Sequence, residues 1–477
     1  MCGIIGFTGN EKIVGDLMYG LLTLQHRGQD SAGIVTFEKM FHTKKGMGLV
    51  NEVFSQKHYE RLQGKIGIGH VRYTTHGSNS IENVQPIITN FPYGLAMVHN
   101  GNVTNFKEME KALYEEYHVL PNSTNDLEIL LYTLAAELKN KDLKHLKTKE
   151  IFDAVKITQQ KVEGAYAVIA IIANHGLLAF MDPNGIRPLV LGKKENNGSV
   201  SYGFASENIT FDHLGYEVVK DLQAGEIVFI DNQLNIHTGI GHRKEQHFCV
   251  FEYMYFARED SIFYRNNVAG KRVRLGQKIA KQFKEKGLKP DVVIDVPNSG
   301  FFAASGLAEA LNVPHHRGLV KSNYIGRSFI APEQKERENI VHKKLNPIKK
   351  AIRNKKVAVV DDSIVRGTTS KRIVKILKDA GAKEVYFVSA APPVKYPCVY
   401  GIEMSIKTEL IANKKTKDEI RKYIGADELF YFDLNELPDV FDKIKICDAC
   451  FTGNYPTKNI NKVLKDIESE RKENKKI

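Results

Sequence analysis

The sequence predicts a two-domain protein of the α+β and α/β classes. Up to about residue 235, short apolar runs separated by Gly, Asn and Asp turns predict a sheet-rich, layered domain. From about residue 270, amphipathic helices alternate with buried apolar strands, a pattern typical of a parallel sheet covered by helices. A chain of 477 residues with 42% apolar residues is long enough for two cores. We therefore expect domains at 2–235 and 236–477.

The individual elements follow from local patterns. In the first domain, strands are predicted at 168–172, 177–180 and 227–230. In the second, the predicted order is helix 273–286, strand 292–296, helix 300–311, strand 357–360, helix 371–380 and strand 385–389. Residues 459–477 predict a charged helix with a frayed end.

Composition limits the class of protein. Lys and Arg exceed Asp and Glu by 12, which suits an anionic partner, although many lysines lie in runs typical of a solvated surface. No aromatic and basic pattern indicates nucleic-acid binding, and no apolar run is long enough to span a bilayer. The N-terminus lacks the pattern of a signal peptide, so we expect a cytoplasmic protein. Five cysteines are too few for a disulfide scaffold of this size.

Cys2 is a candidate nucleophile because only Met1 precedes it. Removal of Met1 would place a thiol and a free α-amino group on one residue. An α-amino group has an ordinary pKa of about 7.7–8.0 and a thiol one of about 8.5, so the amine can accept the thiol proton. The alternative is an ordinary buried cysteine.

A second candidate site follows the strand at 357–360. Asp361 and Asp362 come directly after the strand, and a hydroxyl-rich turn from Gly367 to Ser370 then opens a helix. A helix N-terminus with successive N–H and hydroxyl donors suits a phosphate group, and the two carboxylates suit ribose hydroxyls or magnesium-bound pyrophosphate. The segment is no Walker A loop, and a capped surface turn would not account for both acids.

Four cysteines remain after Cys2. Two form a C-x2-C pair and two are distant, and together they are Cys249, Cys398, Cys447 and Cys450. Four thiols suit either structural zinc or one [4Fe–4S] cluster, and spacing alone does not separate the two.

Together, the N-terminal cysteine and the acidic strand-to-helix segment resemble the glutamine phosphoribosylpyrophosphate (PRPP) amidotransferases, from Cys2 to about Thr457. The first half resembles an N-terminal-nucleophile (Ntn) glutaminase with an αββα sandwich, and the second a type I phosphoribosyltransferase. The matching segments of the first half are 25–33 (QHRGQDSAG), 69–73 (GHVRY), 99–102 (HNGN) and 125–128 (NDLE).

The resemblance implies a role for individual residues. In the first half, Cys2 is the nucleophile, Asn100 and Gly101 form the oxyanion hole, and glutamine is bound by Arg27, Arg72 and Asp126. The residues implied for Mg2+ are Ser299, Asp361 and Asp362. Those implied for PRPP are Lys321, Tyr324, Arg327, Asp361, Asp362, Ser363, Arg366, Gly367, Thr368, Thr369 and Ser370.

The implied reaction converts PRPP, glutamine and water to 5-phosphoribosylamine, pyrophosphate and glutamate, the first committed step of purine synthesis. The implied cofactors are Mg2+ and a [4Fe–4S] cluster on the four cysteines. Purine nucleotides are the implied feedback inhibitors and a homotetramer is the implied assembly. Two alternatives stay open: another Ntn amidotransferase of the hexosamine synthase type, and a non-enzymatic PRPP-binding regulator.

Three positions depart from the family pattern. Asn323 stands where an arginine is common in the PRPP loop, Asn298 where Asp is common, and Glu259 where Pro is common. These departures affect the expected loop and metal contacts rather than the expected reaction.

Overall fold

The structure is a computed structural model, and it describes residues 1–73, 80–142, 144–322, 345–402, 404, 406–442 and 444–466. Among these residues, no helix combines the length and apolar character needed to cross a membrane.

Two antiparallel sheets form the centre of the first unit. The seven-stranded sheet has the order β11-β9-β10-β1-β4-β2-β3 and the six-stranded sheet the order β13-β12-β8-β7-β6-β5. The strands are β1 (Gly3–Gly9), β2 (Ser31–Phe37), β3 (Phe41–Met47), β4 (Ile66–Arg72), β5 (Ile87–Thr89), β6 (Leu95–Val103), β7 (Gly164–Ile172), β8 (Gly176–Met181), β9 (Val190–Asn196), β10 (Ser199–Ala205), β11 (Glu217–Asp221), β12 (Glu226–Asp231) and β13 (Ile236–Ile240).

Helices cover the outer face of each sheet. They are α1 (Val14–Thr23), α2 (Val50–Val53), α3 (Gln56–Arg61), α4 (Phe106–Tyr117), α5 (Leu127–Leu138), α6 (Thr148–Lys161) and α7 (Ile209–Leu214). Strand β1 shows why four layers form: Ile4 faces the core between the sheets, whereas Ile5 faces the core shared with α1 and α7. Because α4, α5 and α6 pack on the second sheet in the same way, the unit is an αββα sandwich.

A four-stranded parallel sheet forms the centre of the second unit, in the order β17-β20-β21-β22. The strands of this unit are β14 (Phe248–Cys249), β15 (Ile262–Phe263), β16 (Asn266–Asn267), β17 (Val292–Asp295), β18 (Leu319–Lys321), β19 (Leu345–Pro347), β20 (Lys356–Asp361), β21 (Glu384–Ser389), β22 (Glu428–Tyr431) and β23 (Ile446–Cys447).

Helices cover both faces of this parallel sheet. They are α8 (Val268–Glu285), α9 (Phe301–Leu311), α10 (Lys349–Ile352), α11 (Thr368–Asp379), α12 (Ile411–Lys414), α13 (Lys417–Ile424), α14 (Leu437–Val440) and α15 (Ala449–Thr452). Along β20, Ala358 and Val360 pack in the core shared with α8 and α9, whereas Val357 and Val359 pack in the core shared with α11 and α13. Burial on both faces explains the continuous apolar run of β20.

Short helical turns complete the described chain. A π-helical turn spans Glu252–Phe256, and 3-10 turns span Ile81–Asn83, Lys407–Glu409 and Leu434–Glu436.

The predicted fold class is confirmed: an antiparallel, layered unit precedes a parallel α/β unit. Each strand and helix predicted between residues 168 and 389 is present, with ends that differ by a few residues; most of the predicted helix 459–477 lies outside the described residues. Strand β13 pairs with β12, so the sheets of the first unit extend five residues past the predicted boundary at 235. The polar alternation of β13, which lies at a sheet edge, gave no apolar run to identify it.

Candidate functional site

The candidate nucleophile Cys2 lies directly before β1, at the end of the first sheet. Its backbone nitrogen donates to Asn100 Oδ1 at 3.2 Å, and its Sγ lies 4.0 Å from the carbonyl oxygen of Tyr73. Met1 is buried, with its Sδ 2.6 Å from Arg187 Nη1. While Met1 is attached, the Cys2 nitrogen is a peptide N–H, so the free amine predicted from the sequence requires removal of Met1.

Asn100 and Gly101 lie on β6, opposite Cys2. Asn100 is 1% exposed, and its Nδ2 has no hydrogen-bond partner among the described residues. Gly101 has φ +149°, and a Cβ at this position would lie 1.8 Å from the carbonyl oxygen of Ala165. Only glycine therefore fits beside Asn100, and the Asn100 amide, which accepts from the Cys2 backbone N–H, keeps an unused donor at Nδ2.

Two further strand and helix ends complete this edge of the sandwich. Arg72 is the last residue of β4 and is 5% exposed; it follows Val71, the register partner of Gly3. Arg72 therefore lies beside Cys2. Asp126 precedes α5, and its Oδ2 accepts from the Val103 N–H at 2.8 Å.

A hydrogen-bonded chain holds Asp126 in place. Gln85 Nε2 lies 2.9 Å from His99 Nδ1, and His99 Nε2 lies 3.2 Å from Asp126 Oδ2. Because the Gln85 amide nitrogen can only donate, His99 Nδ1 accepts and Nε2 carries the proton that it donates to Asp126. Sequence reasoning assigned no role to Gln85 or His99, and the contact between them depends on pairing of β5 with β6.

Arg27 has a different environment from Arg72. Its Nε donates to the Cys2 carbonyl at 3.0 Å, Nη1 donates to Glu207 at 2.5 Å and to Glu252 at 3.0 Å, and Nη2 donates to Glu252 at 2.8 Å. All three side chains are fully buried. All three guanidinium nitrogens thus have protein partners, and binding of glutamine by Arg27 stays a prediction.

The electrostatics of this group favour its charged form. Burial alone would raise the pKa of Glu207, but His26 and Arg27 hold it well below its ordinary value. Burial alone would lower the pKa of Arg27, but Glu252 and Glu207 raise it. Glu207 and Arg27 are therefore both charged at neutral pH.

The second candidate site lies where β20 ends, in the middle of the parallel sheet. Asp361 is 7% exposed, and its Oδ1 accepts from the Ser299 hydroxyl at 3.3 Å. The Ser363 hydroxyl donates to Asp362 Oδ2 at 2.6 Å. Burial, and then the neighbouring Asp362, raise the pKa of Asp361 well above its ordinary value. The structure thus brings together Ser299, Asp361 and Asp362, in a place where a cation or ribose hydroxyls would relieve the repulsion between two acids.

The turn after these acids has the predicted strand-to-helix form. Gly367 has φ +77° and directly precedes α11, where Thr368 and Thr369 are exposed and Ser370 is buried. An exposed first helical turn with hydroxyl side chains suits an anion.

Four other residues are predicted to contact PRPP: Lys321, Tyr324, Arg327 and Arg366. Arg366 is bonded to Glu409, with Nε 2.9 Å and Nη2 2.6 Å from Oε2. Lys321 is exposed at the end of β18. Tyr324 and Arg327 lie outside the described residues.

The four remaining cysteines converge on one cavity, although they come from three separate parts of the sequence. Cys249 of β14 and Cys447 of β23 are register partners in a parallel pair, and Cys450 lies on α15. All four are 5–8% exposed. The cavity is lined by Ile186, Cys249, Phe251, Cys398, Tyr400, Ile402, Cys447, Ala449, Cys450 and Tyr455.

The cavity disfavours ionised thiols when no metal is bound. Burial raises the pKa of Cys249 to about 11, and it raises the pKa of Cys447 and Cys450 well above the ordinary value. Within the described ranges, no three or more His, Cys, Asp or Glu side chains are placed to hold a single metal ion.

Two protein-family models match the chain. One describes a glutamine amidotransferase domain and matches residues 70–212; the other describes a phosphoribosyl transferase domain and matches residues 268–397. The chain is 45% identical to the amidophosphoribosyltransferase of Pasteurella multocida, over 99% of this chain and 96% of that protein. It is 43% identical to that of Escherichia coli, over 98% and 95%, and 41% identical to that of Methanocaldococcus jannaschii, over 97% and 99%.

Solved structures give the same result. Glutamine PRPP amidotransferase from B. subtilis, complexed with ADP and GMP, superposes with a TM-score of 0.85 at 37% identity, covering 96% of this chain and 98% of that chain. A structure described as the allosteric regulatory enzyme of purine biosynthesis superposes with a TM-score of 0.86 at 37% identity, covering 96% of each chain.

The raised thiol pKa values predict how the cysteines react. In metal-free protein at pH 7.5, we expect iodoacetamide to modify Cys2, which is partly exposed, at least about tenfold faster than Cys249, Cys447 and Cys450. Modification of Cys249 should speed up only as the pH rises toward about 11, because the thiolate is the reactive form. Peptide mass spectrometry over a pH series measures this, with urea-unfolded protein as the reference. Equal rates at all five cysteines in folded protein at pH 7.5 would contradict it.

Proposed function

The chain belongs to the amidophosphoribosyltransferase family, and we propose how its individual residues carry out the reaction of that family. The reaction is the first step of purine biosynthesis, and a glutamine amidotransferase domain and a phosphoribosyl transferase domain carry it. It yields 5-phosphoribosylamine, pyrophosphate and glutamate from PRPP, glutamine and water.

In the first half-reaction, the Cys2 thiol attacks the side-chain amide of glutamine. The α-amino group, free once Met1 is removed, takes the thiol proton and passes it to the departing ammonia. Water then hydrolyses the thioester to glutamate. Arg72 binds the α-carboxylate of glutamine and Asp126 its ammonium group, which is supported by the buried position of Arg72 beside Cys2 and by the partly exposed carboxylate of Asp126.

The unpaired Asn100 amide is the observation that carries this assignment. A buried donor without an acceptor costs about 1–3 kcal/mol, and nothing among the described residues offsets that cost for Nδ2. An oxyanion formed at the thiol would accept from Nδ2 and from the Gly101 N–H. Among the described residues the donor has no acceptor, so an oxyanion at this place would supply one, as transition-state stabilisation requires.

In the second half-reaction, ammonia attacks C1 of PRPP and pyrophosphate leaves. Gly367 to Ser370 bind the 5-phosphate at the start of α11. The ribose hydroxyls are bound by Asp361, Asp362 and Ser363. The residues proposed to contact the pyrophosphate are Lys321, Tyr324, Arg327 and Arg366. To bind it, Arg366 would break its ion pair with Glu409.

Magnesium fits the acidic end of β20. Mg2+ binds through one or two carboxylates plus substrate phosphates, and it keeps several waters. A site of two carboxylates and one hydroxyl therefore suits it. It does not need a cage of three protein ligands, and the described residues form none. Ser299, Asp361 and Asp362 would hold the ion, which would neutralise the charge of the pyrophosphate leaving group.

A [4Fe–4S] cluster fits the four-cysteine cavity better than zinc. One zinc ion with Zn–S bonds of about 2.3 Å needs its sulfurs within about 4 Å of each other. Among the described side chains, no three are placed to hold a single metal ion, and four thiols line one mostly apolar cavity. A cluster spreads its four thiolates around a larger core, and Cys249, Cys398, Cys447 and Cys450 would hold it. Its proposed role is to fasten the C-terminal segment to the sheet of the second unit.

Nucleotide regulation, assembly and location complete the proposal. A relative was solved with ADP and GMP bound, which supports purine nucleotides as feedback inhibitors. A homotetramer and a cytoplasmic location are proposed by analogy with the family.

Replacing Asn100 tests the oxyanion assignment. Asn100→Asp keeps the Oδ1 acceptor and removes the Nδ2 donor, so glutamine-dependent kcat should fall by about 10²–10³, whereas activity with free ammonia should stay within twofold of the parent. Cys2→Ala should abolish glutamine-dependent activity and should also leave the activity with free ammonia unchanged. Glutamate and pyrophosphate release measure the two activities.

Asn122→Asp, on the exposed surface, is the matched control and should leave both activities unchanged. Equal loss of glutamine- and ammonia-dependent activity in Asn100→Asp would contradict the assignment.

Replacing Asp362 tests the second site. Asp362→Asn should lower pyrophosphate release about a hundredfold or more with either nitrogen source, because the site loses one negative charge toward Mg2+ and the ribose. Basal hydrolysis of glutamine should persist. Asp379→Asn, an exposed position on α11, is the control. Unchanged pyrophosphate release in Asp362→Asn would refute the assigned role.

Metal analysis tests the cluster. Anaerobically purified protein should contain about four iron and four sulfide per chain, with visible absorbance that is lost in Cys398→Ser. Stoichiometric zinc without iron would overturn this part of the proposal.

A further inference from the structure

A network of four buried charged side chains joins the two units. Arg27, Arg187, Glu207 and Glu252 are each fully buried. Three of them come from the first unit, and Glu252 comes from the second, where it begins the π-helical turn after β14. Buried ion pairs are costly to form and leave an uncompensated charge when one partner is lost. Four such charges at this boundary therefore hold their neighbours in fixed positions.

One end of the network reaches the nucleophile. Both terminal nitrogens of Arg27 donate to the Glu252 carboxylate, at 2.8 and 3.0 Å, and Arg27 Nε donates to the Cys2 carbonyl at 3.0 Å. Because a guanidinium is planar and rigid, a bidentate carboxylate fixes its plane and thereby the direction of its Nε–H. The orientation of the Cys2 backbone thus depends on a carboxylate from the other unit.

The other end of the network fixes Glu252. Arg187 Nη1 lies 3.6 Å from Glu252 Oε1, and Arg187 Nε donates to the Tyr400 carbonyl at 2.9 Å. The neighbouring Val399 carbonyl accepts from Asn102 Nδ2 at 2.9 Å. A short segment after Cys398 therefore contacts both the network and strand β6, two residues beyond Asn100.

We propose that Glu252 is a positioning residue for the glutamine half-reaction, acting through Arg27 to hold Cys2 against the Asn100 donor. The second unit thereby completes the nucleophile's site of the first. The inference rests on the proposed roles of Cys2 and Asn100. It assigns Arg27 to the Cys2 backbone, in addition to any contact that Arg27 makes with glutamine.

Charge-removing and charge-keeping variants of Glu252 test the proposal. Glu252→Gln has nearly the same shape but cannot compensate the Arg27 charge, and we expect glutamine-dependent kcat to fall about ten- to a hundredfold, since a displacement of about 1 Å has that effect. The KM for glutamine should change less than threefold. Glu252→Asp keeps the charge with a shorter reach and should recover part of the lost kcat.

Ammonia-dependent pyrophosphate release and iron content should match the parent in both variants. Glu245→Gln, which removes an exposed glutamate paired with Lys445 at the surface, is the matched control and should leave every readout unchanged.

The outcomes separate the inference from the proposed function. An unchanged glutamine-dependent kcat in Glu252→Gln would overturn the inference. Parallel loss of glutamine-dependent activity, ammonia-dependent activity and iron would also overturn it, because Glu252 would then support the second unit as a whole. Absence of glutamine-dependent activity in the parent chain, measured alongside, would instead refute the proposed role of Cys2.

Discussion

Ammonia attacks only through its lone pair, so nitrogen released at the proposed nucleophile Cys2 would have to reach the second site without being protonated. This constraint calls for two sites held in one body with water excluded between them. The structure joins its two units through buried polar contacts: Arg27 with Glu252, Asn102 with Val399, and Arg187 with Tyr400. Arg27 also contacts the candidate nucleophile Cys2, so the boundary between the units adjoins the first candidate site.

Both candidate sites form where strands end, for different physical reasons. In the antiparallel sandwich, neighbouring strands of two facing sheets bring Cys2, Arg72 and Asn100 to one edge. In the parallel sheet, the carboxyl ends of β17 and β20 meet, which places Ser299 beside Asp361 before a helix N-terminus. The first arrangement supplies a nucleophile with a nearby donor, and the second supplies a charged cradle for an anionic substrate.

Much of this organisation could be predicted from the sequence, because it is local. The alternation of helix and buried strand, the acids after 357–360 and the cysteine after Met1 each occupy a short segment. The charge network could not be predicted, since Arg27 and Glu252 are 225 residues apart and no spacing rule joins them. One signal was available: Glu252 is a single carboxylate within the apolar run 248–256, where burial requires a partner.

Coupling of the two half-reactions is measured by the release of their two products. Protein purified without oxygen is given glutamine, PRPP and Mg2+, and glutamate and pyrophosphate are followed as each substrate is omitted in turn. We expect matched release of both products when both substrates are present, and glutamate release no faster than basal hydrolysis when PRPP is omitted. With both substrates present, glutamate release without accompanying pyrophosphate release would show that the half-reactions are not coupled.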